Sequence, residues 1–319
     1  IKDEKLADVH VPTTLKGILQ ARLDRLPPFE KLAVQRAAII GRTFWDGLLR
    51  ALTEDEIESQ KINSRLESLR DRGLIYHREH SSIAGNQEYL FKHALLCDEA
   101  YETVLLRHRR IYHKQVAIWI EENAGDRLEE HLALIANHYL EADQTDHAVD
   151  WFIKAGERAL NHCSMPEARV LFEKALSLTK EEDIERIWAA TLGHDEAVGT
   201  LGDLDARHTD DKTLLKLANQ RQDDQWLAKA YFRIGSQARS EGNNQAALRA
   251  LNQALKATNR IGDLILQALI LPLKVTILTS EGDFKTAGTL VGHALQIAEQ
   301  TENPNILARA LTNLAPYYQ

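Results

Sequence analysis

The side chains that could perform chemistry are the histidines, two cysteines and one Lys-Thr pair. Lys285-Thr286 follows Gly282, but it lacks the glycine-rich lead and the preceding strand of a phosphate-binding loop. No Gly-x-x-x-x-Gly-Lys-Ser/Thr sequence occurs, so the chain has no cradle that would bind ATP by itself. Because no serine or cysteine has a recognisable base arranged with it, we predict that this chain is not an enzyme.

The 13 histidines do not suggest a metal centre. His77 with His80 and His108 with His113 are close pairs, but no cysteine or carboxylate lies at ligand spacing from them. We therefore expect no metal site.

The remaining reactive side chains fit structural positions. His131 and His138, seven residues apart, are expected to line the solvated face of one helix. Cys97 and Cys163 fall in apolar helical stretches, so we expect buried small residues and no disulfide framework.

The composition indicates a helical, globular protein. Of 319 residues, 44% are apolar and 27% charged, with long stretches rich in Ala, Leu, Glu and Arg. A net charge of -8 disfavours a general nucleic-acid binder. The sequence shows no secretory signal and no apolar run near 20 residues, so we expect a reduced, cytosolic protein without a membrane contact.

Three glycines lie forty residues apart, at Gly202, Gly242 and Gly282. A fixed period of this size predicts stacked supersecondary units. Each glycine is expected to end a helix in the left-handed conformation. The residues that follow them are expected to form turns or cap the next helix: Asp203, Asn243 and Asp283.

A small-large-small pattern marks the second helix of each unit, where small residues let a neighbouring helix approach closely. The pattern occurs three times: Ala168, Phe172 and Ala175; Ala247, Leu251 and Ala254; Ala287, Val291 and Ala294. Gly156 and Gly235 lie in first helices. The pattern resembles the tetratricopeptide repeat, which implies a right-handed α-superhelix of helical hairpins that binds a partner. The period exceeds the standard of about 34 residues, and longer helices would absorb the difference.

Two places depart from this pattern. Arg207 and Asp211 stand where a small and an apolar residue are expected, so the unit around them is poor. A further signature at Ala148, Phe152 and Ala155 precedes the next by only 20 residues, which predicts one helix, about 145–162, shared by two units. The period also leads us to expect that the array continues beyond Gln319 and that both ends of the chain are cut. An array that only packs against its own protein is the alternative to a binding surface.

The front half combines short helices with one hairpin. Apolar stripes predict helices over 15–26, 32–40, 44–52 and 57–69, the third including Phe44 and Trp45. Short extended runs at 74–77 and 88–91 flank turn residues and predict a β-hairpin. Helices followed by a hairpin form the winged-helix plan, which often binds DNA. The helix before this hairpin carries more acidic than basic residues, which disfavours DNA binding by that helix. A solvated helix face or an ion-paired surface within the protein explains the basic run at 107–110 without DNA.

Several segments of the front half are similar to the STAND family of signal-transduction ATPases, in its bacterial members with helical repeat arrays. The likeness covers most of residues 11–180 and rests on Val11-Pro12-Thr13-Thr14-Leu15, Ala21-Arg22-Leu23-Asp24-Arg25-Leu26-Pro27 and Ala37-Ala38-Ile39-Ile40-Gly41-Arg42-Thr43-Phe44. Phe91-Lys92-His93-Ala94-Leu95 is similar to the Met-His-Asp segment of plant and animal relatives. His93 takes the histidine position, whereas Ala94 replaces the acid.

The resemblance implies a nucleotide-dependent switch. ADP or ATP would bind an ATPase core absent from this chain, and His93 would contact the β-phosphate of ADP in the closed state. An inducer, which could be a protein, a peptide or a small molecule, would bind the repeats and favour an open form that oligomerises. From the residues alone, His93 could instead cap the following helix or support the hairpin.

The resemblance also implies the domain limits. Residues 1–26 would end an ATPase lid region or form a linker helix, 27–106 a winged-helix domain, 107–125 a connecting helix and 126–319 the repeat sensor. The alternative function is a repeat scaffold for protein-protein interaction with a DNA-binding winged helix.

Overall fold

The computed structural model of the chain describes residues 13–318. The Val11-Pro12 part of the resemblance lies outside this range. Within it the protein is mostly helical, with one small sheet and a long series of helical hairpins, so the predicted fold class is confirmed. No helix in the described part combines the length and apolar character required to cross a membrane.

The described residues divide into two compact units, the first ending at Lys180 and the second beginning at Glu181. The helices of the first unit are α1 (Thr13–Asp24), α2 (Pro28–Ile40), α3 (Asp46–Ala51), α4 (Glu56–Gln60), α5 (Ile62–Asp71), α6 (Ala94–Glu102), α7 (Leu106–Asn123), α8 (Leu132–Glu141), α9 (Thr145–Asn161) and α10 (Met165–Leu178). Those of the second are α11 (Ile184–Leu201), α12 (Leu204–Arg221), α13 (Asp224–Ser240), α14 (Asn244–Ile261), α15 (Leu264–Ser280), α16 (Phe284–Gln300) and α17 (Pro304–Leu314). Short 3₁₀ segments at Gly125–His131 and Ala315–Tyr317 complete the described elements.

The first unit contains a three-stranded antiparallel sheet in the order β1-β3-β2. Its strands are β1 (Thr43–Trp45), β2 (Ile75–His77) and β3 (Glu88–Phe91). The predicted hairpin is confirmed as β2 and β3, where Tyr76 pairs with Leu90. The predicted helix through Phe44 and Trp45 is wrong, because β1 pairs there with β3. The partner strand is distant in sequence, so local periodicity does not reveal this pairing. The winged-helix assignment of this region stays a prediction.

The second unit is a run of helices joined by short turns at regular intervals. Left-handed residues recur every 20 positions, with φ of 79° at Gly202, 77° at Gly242, 72° at Gly262 and 79° at Gly282. Glycine adopts this conformation without steric strain, which explains the 40-residue glycine period. The next residue caps the following helix, as predicted: Asp203 accepts from Ala206, Asn243 from Ala246 and Asp283 from Thr286.

The half-period turns complete this pattern. Gln222 and Glu302 are left-handed as well, with φ of 55° and 52°. Each helix and its turn therefore span 20 residues, and two of them make the 40-residue unit. Consecutive helices pack as hairpins, α11 with α12, α13 with α14 and α15 with α16.

One helix of the first unit is shared between two hairpins. α9 packs against α8 before it and α10 after it. Phe152 and Ala148 on α9 are fully buried, as are Phe172 and Ala168 on α10. The predicted shared helix at about 145–162 therefore corresponds to α9 at Thr145–Asn161.

Candidate functional site

His93 lies in the short connection between β3 and α6 and is exposed. Its backbone is extended, with φ -130° and ψ 128°, and its carbonyl accepts the amide of Leu96 at 3.1 Å. The imidazole makes no capping hydrogen bond to α6. The structure thus gives no support to the capping alternative and leaves the ring accessible to a hydrogen-bond acceptor.

The predicted repeat signature occupies buried packing positions. Its six alanines are fully buried: Ala168, Ala175, Ala247, Ala254, Ala287 and Ala294. Gly156 faces Phe172 so closely that a Cβ at residue 156 would lie 2.7 Å from Cζ of that ring. Gly235 faces Leu251 in the same way, where an added Cβ would lie 2.7 Å from Cγ. Glycine at these two positions therefore leaves room for Phe172 and Leu251 against the backbone of the first helix.

The α11–α12 hairpin replaces this glycine-leucine contact with a polar cluster. Forty residues before Gly235 and Leu251 stand Asp195 and Asp211. Asp195 is fully buried, and its two oxygens accept from two arginines. Arg207 Nε lies 3.3 Å from Asp195 Oδ1, and Arg233 of α13 donates to Oδ2. The poor unit identified in the sequence thus has charged side chains where the other hairpins have an apolar contact. We name Asp195, Arg207, Asp211 and Arg233 the buried ion cluster.

Burial changes the protonation of the carboxyls in this hairpin. Burial raises the pKa of Asp211 to about 7, and the nearby carboxylate of Asp195 adds to the shift. Burial also raises the pKa of Asp210, although His194 lies at 2.7 Å and its hydrogen bond acts in the opposite direction. The Oδ1 atom of Asp211 is buried and has no hydrogen-bond partner among the described residues. A neutral Asp211 is the state that burial favours below about pH 7.

Two adjoining cavities open over the cluster, one of about 520 Å³ and one of about 350 Å³. They share three lining residues, Phe232, Ser236 and Arg309. The first cavity is also lined by Leu192, Glu196, Arg207, Lys229 and Arg233. The second is also lined by Arg239, Leu269, Leu273, Thr312 and Asn313. We name the two cavities together the arginine groove; most of its lining comes from α11, α13, α15 and α17.

A larger opening of about 630 Å³ lies among the turns of the same unit. Two of the carboxylates that line it, Asp223 and Asp263, already accept helix N-terminal amides as caps. The capping role explains these residues, and the arginine groove is the better candidate for binding.

Sequence reasoning missed Asp195 and Arg233, which organise this site. The signal was present, because the 40-residue period aligns Asp195 with Gly235 and Asp211 with Leu251. The small-large-small pattern by itself shows only that this hairpin lacks the signature. The charged pair that replaces it becomes visible only when Arg233, on the next hairpin, is brought to the same point.

Two other expectations are wrong. His131 and His138 do not share a solvated face, since His131 ends a 3₁₀ segment, His138 lies in α8 and both are buried. His138 Nδ1 lies 2.7 Å from His113 Nδ1, and burial lowers the pKa of His138 to about 3 and that of His113 to about 4. Cys163 is exposed in a turn with φ 57°, whereas Cys97 is buried as expected. The left-handed turn after α9 places the Cys163 side chain in solvent.

No group of three or more His, Cys, Asp or Glu side chains within residues 13–318 is arranged to hold a metal ion. The basic side chains of α5 and its flanks are engaged within the protein. Lys61 and Arg65 both contact Glu58 at 3.1 Å, and Arg72 contacts Glu30 at 3.0 Å. In the basic run at 107–110, Arg109 binds Glu102 at 3.1 Å.

Comparisons with known proteins support the fold. No protein-family model matches the chain. A 166-residue stretch is 29% identical to an uncharacterised protein of Rhizobium meliloti strain 1021; it makes up 52% of this chain and 16% of the relative. The chain therefore matches less than a fifth of the length of that relative.

Among solved structures, aspartyl phosphate phosphatase F from Bacillus subtilis has a TM-score of 0.55 at 11% identity, over 96% of this chain and 80% of that one. The apo form of RapI has a TM-score of 0.54 at 10% identity, over 85% and 69%. A STAND protein with a tetratricopeptide repeat sensor from Pyrococcus horikoshii has a TM-score of 0.47 at 13% identity, over 97% and 50%, which is too low to establish a common fold. The two higher scores support a tetratricopeptide-like helical-hairpin fold and, at these identities, no activity.

Proposed function

We propose that this chain is the regulatory part of a STAND-type ATPase switch, in which the repeats bind an inducer. The observation that carries the binding role is the arginine groove. It exposes cations and apolar side chains together on successive first helices of the array. A stacked array commonly presents such a surface to a partner.

The nucleotide part of the proposal rests on His93 and on the family resemblance. The exposed ring has no capping bond to α6, so it can donate a hydrogen bond to an anionic oxygen. This chemistry suits the β-phosphate of ADP held by an ATPase core outside this chain. Bound ADP would join the core to the first unit, and inducer binding to the repeats would favour an open, oligomeric form.

The test is to replace His93→Ala in the protein that carries the ATPase core and to measure the ADP that co-purifies. Loss of a charge-assisted hydrogen bond to phosphate should raise the ADP dissociation rate by about tenfold. His80→Ala is the matched control, since His80 is exposed in the hairpin loop. Unchanged ADP content and release would refute the role of His93, and a parent protein without a P-loop would refute the switch.

The alternative of a DNA-binding winged helix has weaker support. Lys61 and Arg65 are paired with Glu58, so binding of phosphates would require these ion pairs to break. A mobility-shift assay on this chain distinguishes the two functions. Binding that weakens steeply with salt would favour the DNA-binding alternative.

A further inference from the structure

Three cations in the arginine groove have no counter-ion within the described part of the chain. They are Lys229 and Arg239 on α13 and Arg309 on α17, and all three are exposed. No hydrogen bond or ion pair among residues 13–318 engages these three side chains. They differ in this from Arg207 and Arg233, which Asp195 holds from beneath.

The groove is therefore locally positive in a chain whose net charge is -8. Five of its lining residues are basic and one, Glu196, is acidic. Glu196 already lies 3.4 Å from Arg233 Nη2. Even with the buried Asp195 included, the cations outnumber the acids. A locally positive cleft in an acidic protein attracts and orients an anionic partner.

Apolar side chains separate the cations. Lys229, Phe232, Ser236 and Arg239 follow one another at spacings of three and four residues, which places them on one face of α13. At about 1.5 Å per residue, Lys229 and Arg239 lie roughly 15 Å apart along that helix. An extended chain covers this distance with about four or five residues. Phe232 lies between the two cations, and Leu273 adds an apolar wall from α15.

We propose that the arginine groove binds an extended peptide segment that carries Asp or Glu residues about four or five positions apart, with an apolar side chain between them. The proposal rests on the inducer-binding function above and adds the chemistry of the inducer. Carboxylates of the segment would pair with Lys229, Arg239 and Arg309, and the apolar side chain would contact Phe232. Such charge-assisted bonds give orientation and the apolar contact adds buried area.

The test measures binding of three fluorescein-labelled pools of random dodecapeptides to the whole chain by fluorescence anisotropy. The pools share the same content of Leu, Phe and Ser and differ only in the remaining positions, which are Asp/Glu, Asn/Gln or Lys/Arg. We expect the acidic pool to bind about tenfold more tightly than the neutral pool. This preference should weaken as salt rises from about 0.05 M to about 0.5 M, since both charges are exposed.

Charge reversal locates the site. Lys229→Glu with Arg309→Glu should reduce binding of the acidic pool about tenfold or more, because like charges then face each other. Arg249→Glu with Lys256→Glu is the matched control, since both residues are exposed on α14 away from the groove. This pair should change binding less than about twofold. If the reversal variant loses its helical circular dichroism, the milder Lys229→Gln with Arg309→Gln takes its place.

Each result is decisive. Equal binding of the neutral or basic pool, or equal effects of the groove and control variants, would overturn the acidic-peptide proposal and leave inducer binding intact. Binding of none of the pools would overturn the proposal and also contradict a peptide-binding function. Binding of a single-stranded oligo(dT) of matched length more tightly than the acidic pool, lost in the groove variant, would assign the groove to nucleic acid instead.

Discussion

Two neighbouring hairpins of the array solve the same packing problem with opposite chemistry. In α13–α14, Gly235 allows the side chain of Leu251 to reach the backbone of the first helix. In α11–α12, Asp195 and Asp211 occupy the equivalent positions, and Asp195 is fully buried between two arginines. The backbone plan is the same, with a left-handed turn and an acidic or Asn cap after each hairpin's first helix.

The difference assigns the two hairpins different roles. A glycine-leucine contact contributes apolar burial and nothing that a ligand or pH could alter. A buried ion cluster contributes little net stability, because the desolvation of its charges offsets their attraction. The buried ion cluster also positions side chains, because Asp195 fixes Arg207 and Arg233 in the wall of the arginine groove. The polar hairpin therefore links the interior of the array to its binding surface, and the apolar hairpin is a spacer.

The largest expected effect is the removal of the central anion. Asp195→Ala leaves Arg207 and Arg233 without their shared counter-ion, while 18% and 24% of their side-chain surfaces remain exposed. We expect a loss of about 3 kcal/mol in the free energy of unfolding, measured by urea denaturation. Glu299→Ala, an exposed acid on α16, should change it by less than about 0.5 kcal/mol.

A combined variant sharpens this prediction. Asp195→Gly, Arg207→Ala, Asp211→Leu and Arg233→Leu together give the buried ion cluster the residues found forty positions later. Replacing a whole buried ion cluster by apolar residues removes the desolvation penalty along with the attraction. The combined variant should therefore recover the stability that Asp195→Ala loses. If both variants were equally unstable, the cluster would be a source of net stability and the contrast between the hairpins would be wrong.

Structural features set by the local period of the sequence were predicted correctly, whereas features that need a partner distant in the chain were missed. The turn glycines and their caps follow from Gly202, Gly242 and Gly282, because left-handed backbone and N-capping are set within a few residues. The strand at Phe44 and Trp45 and the ion pair between Asp195 and Arg233 need a partner more than 35 residues away. The charged residues Arg207 and Asp211 stand where the signature has a small and an apolar residue, so the sequence shows that this hairpin departs from the pattern. Only the fold shows which side chains balance these charges.

A smaller effect is expected in the apolar hairpin. Gly235→Ala places a Cβ 2.7 Å from Leu251 Cγ and 3.3 Å from the carbonyl oxygen of Ala247. Overpacking of this kind destabilises by about 1–3 kcal/mol, and the higher helix propensity of alanine returns up to about 1 kcal/mol. We expect a net loss of about 1–2 kcal/mol in the free energy of unfolding.

The matched control is Gly292→Ala on α16, where an added Cβ would meet no atom within 4 Å. This variant should be more stable than the wild type by up to about 1 kcal/mol. Gly156→Ala, facing Phe172 in the first unit, should repeat the loss seen at Gly235. A stabilising effect at Gly235 would show that Leu251 repacks freely and that glycine is not required at the helix contact.

The two hairpins should also differ in how their stability depends on pH. Asp211 faces Asp195 from α11, Arg207 and Asp210 from its own helix and Arg233 from α13. Burial raises its folded-state pKa to about 7, whereas the unfolded value is about 4. Between these values the unfolded chain has released the proton and the folded chain has kept it. The stabilising contribution of neutral Asp211 is thus complete below about pH 4 and is lost as pH rises through about 7.

The asparagine in Asp211→Asn cannot ionise. Comparing this variant with the wild type therefore separates the pH-dependent stability contribution of Asp211 from those of all other titrating groups. The stability of the variant relative to the wild type should rise between about pH 5 and 7, by at most about 1.4 kcal/mol per pH unit, and level off above about pH 8. Glu299→Gln, at an exposed acid, should show no such trend. A flat difference for Asp211→Asn would mean that the folded chain ionises Asp211 as readily as the unfolded chain does. Arg207 and Arg233 would then share two anions in place of one, and the groove above them would lose part of the positive charge on which acidic-peptide binding depends.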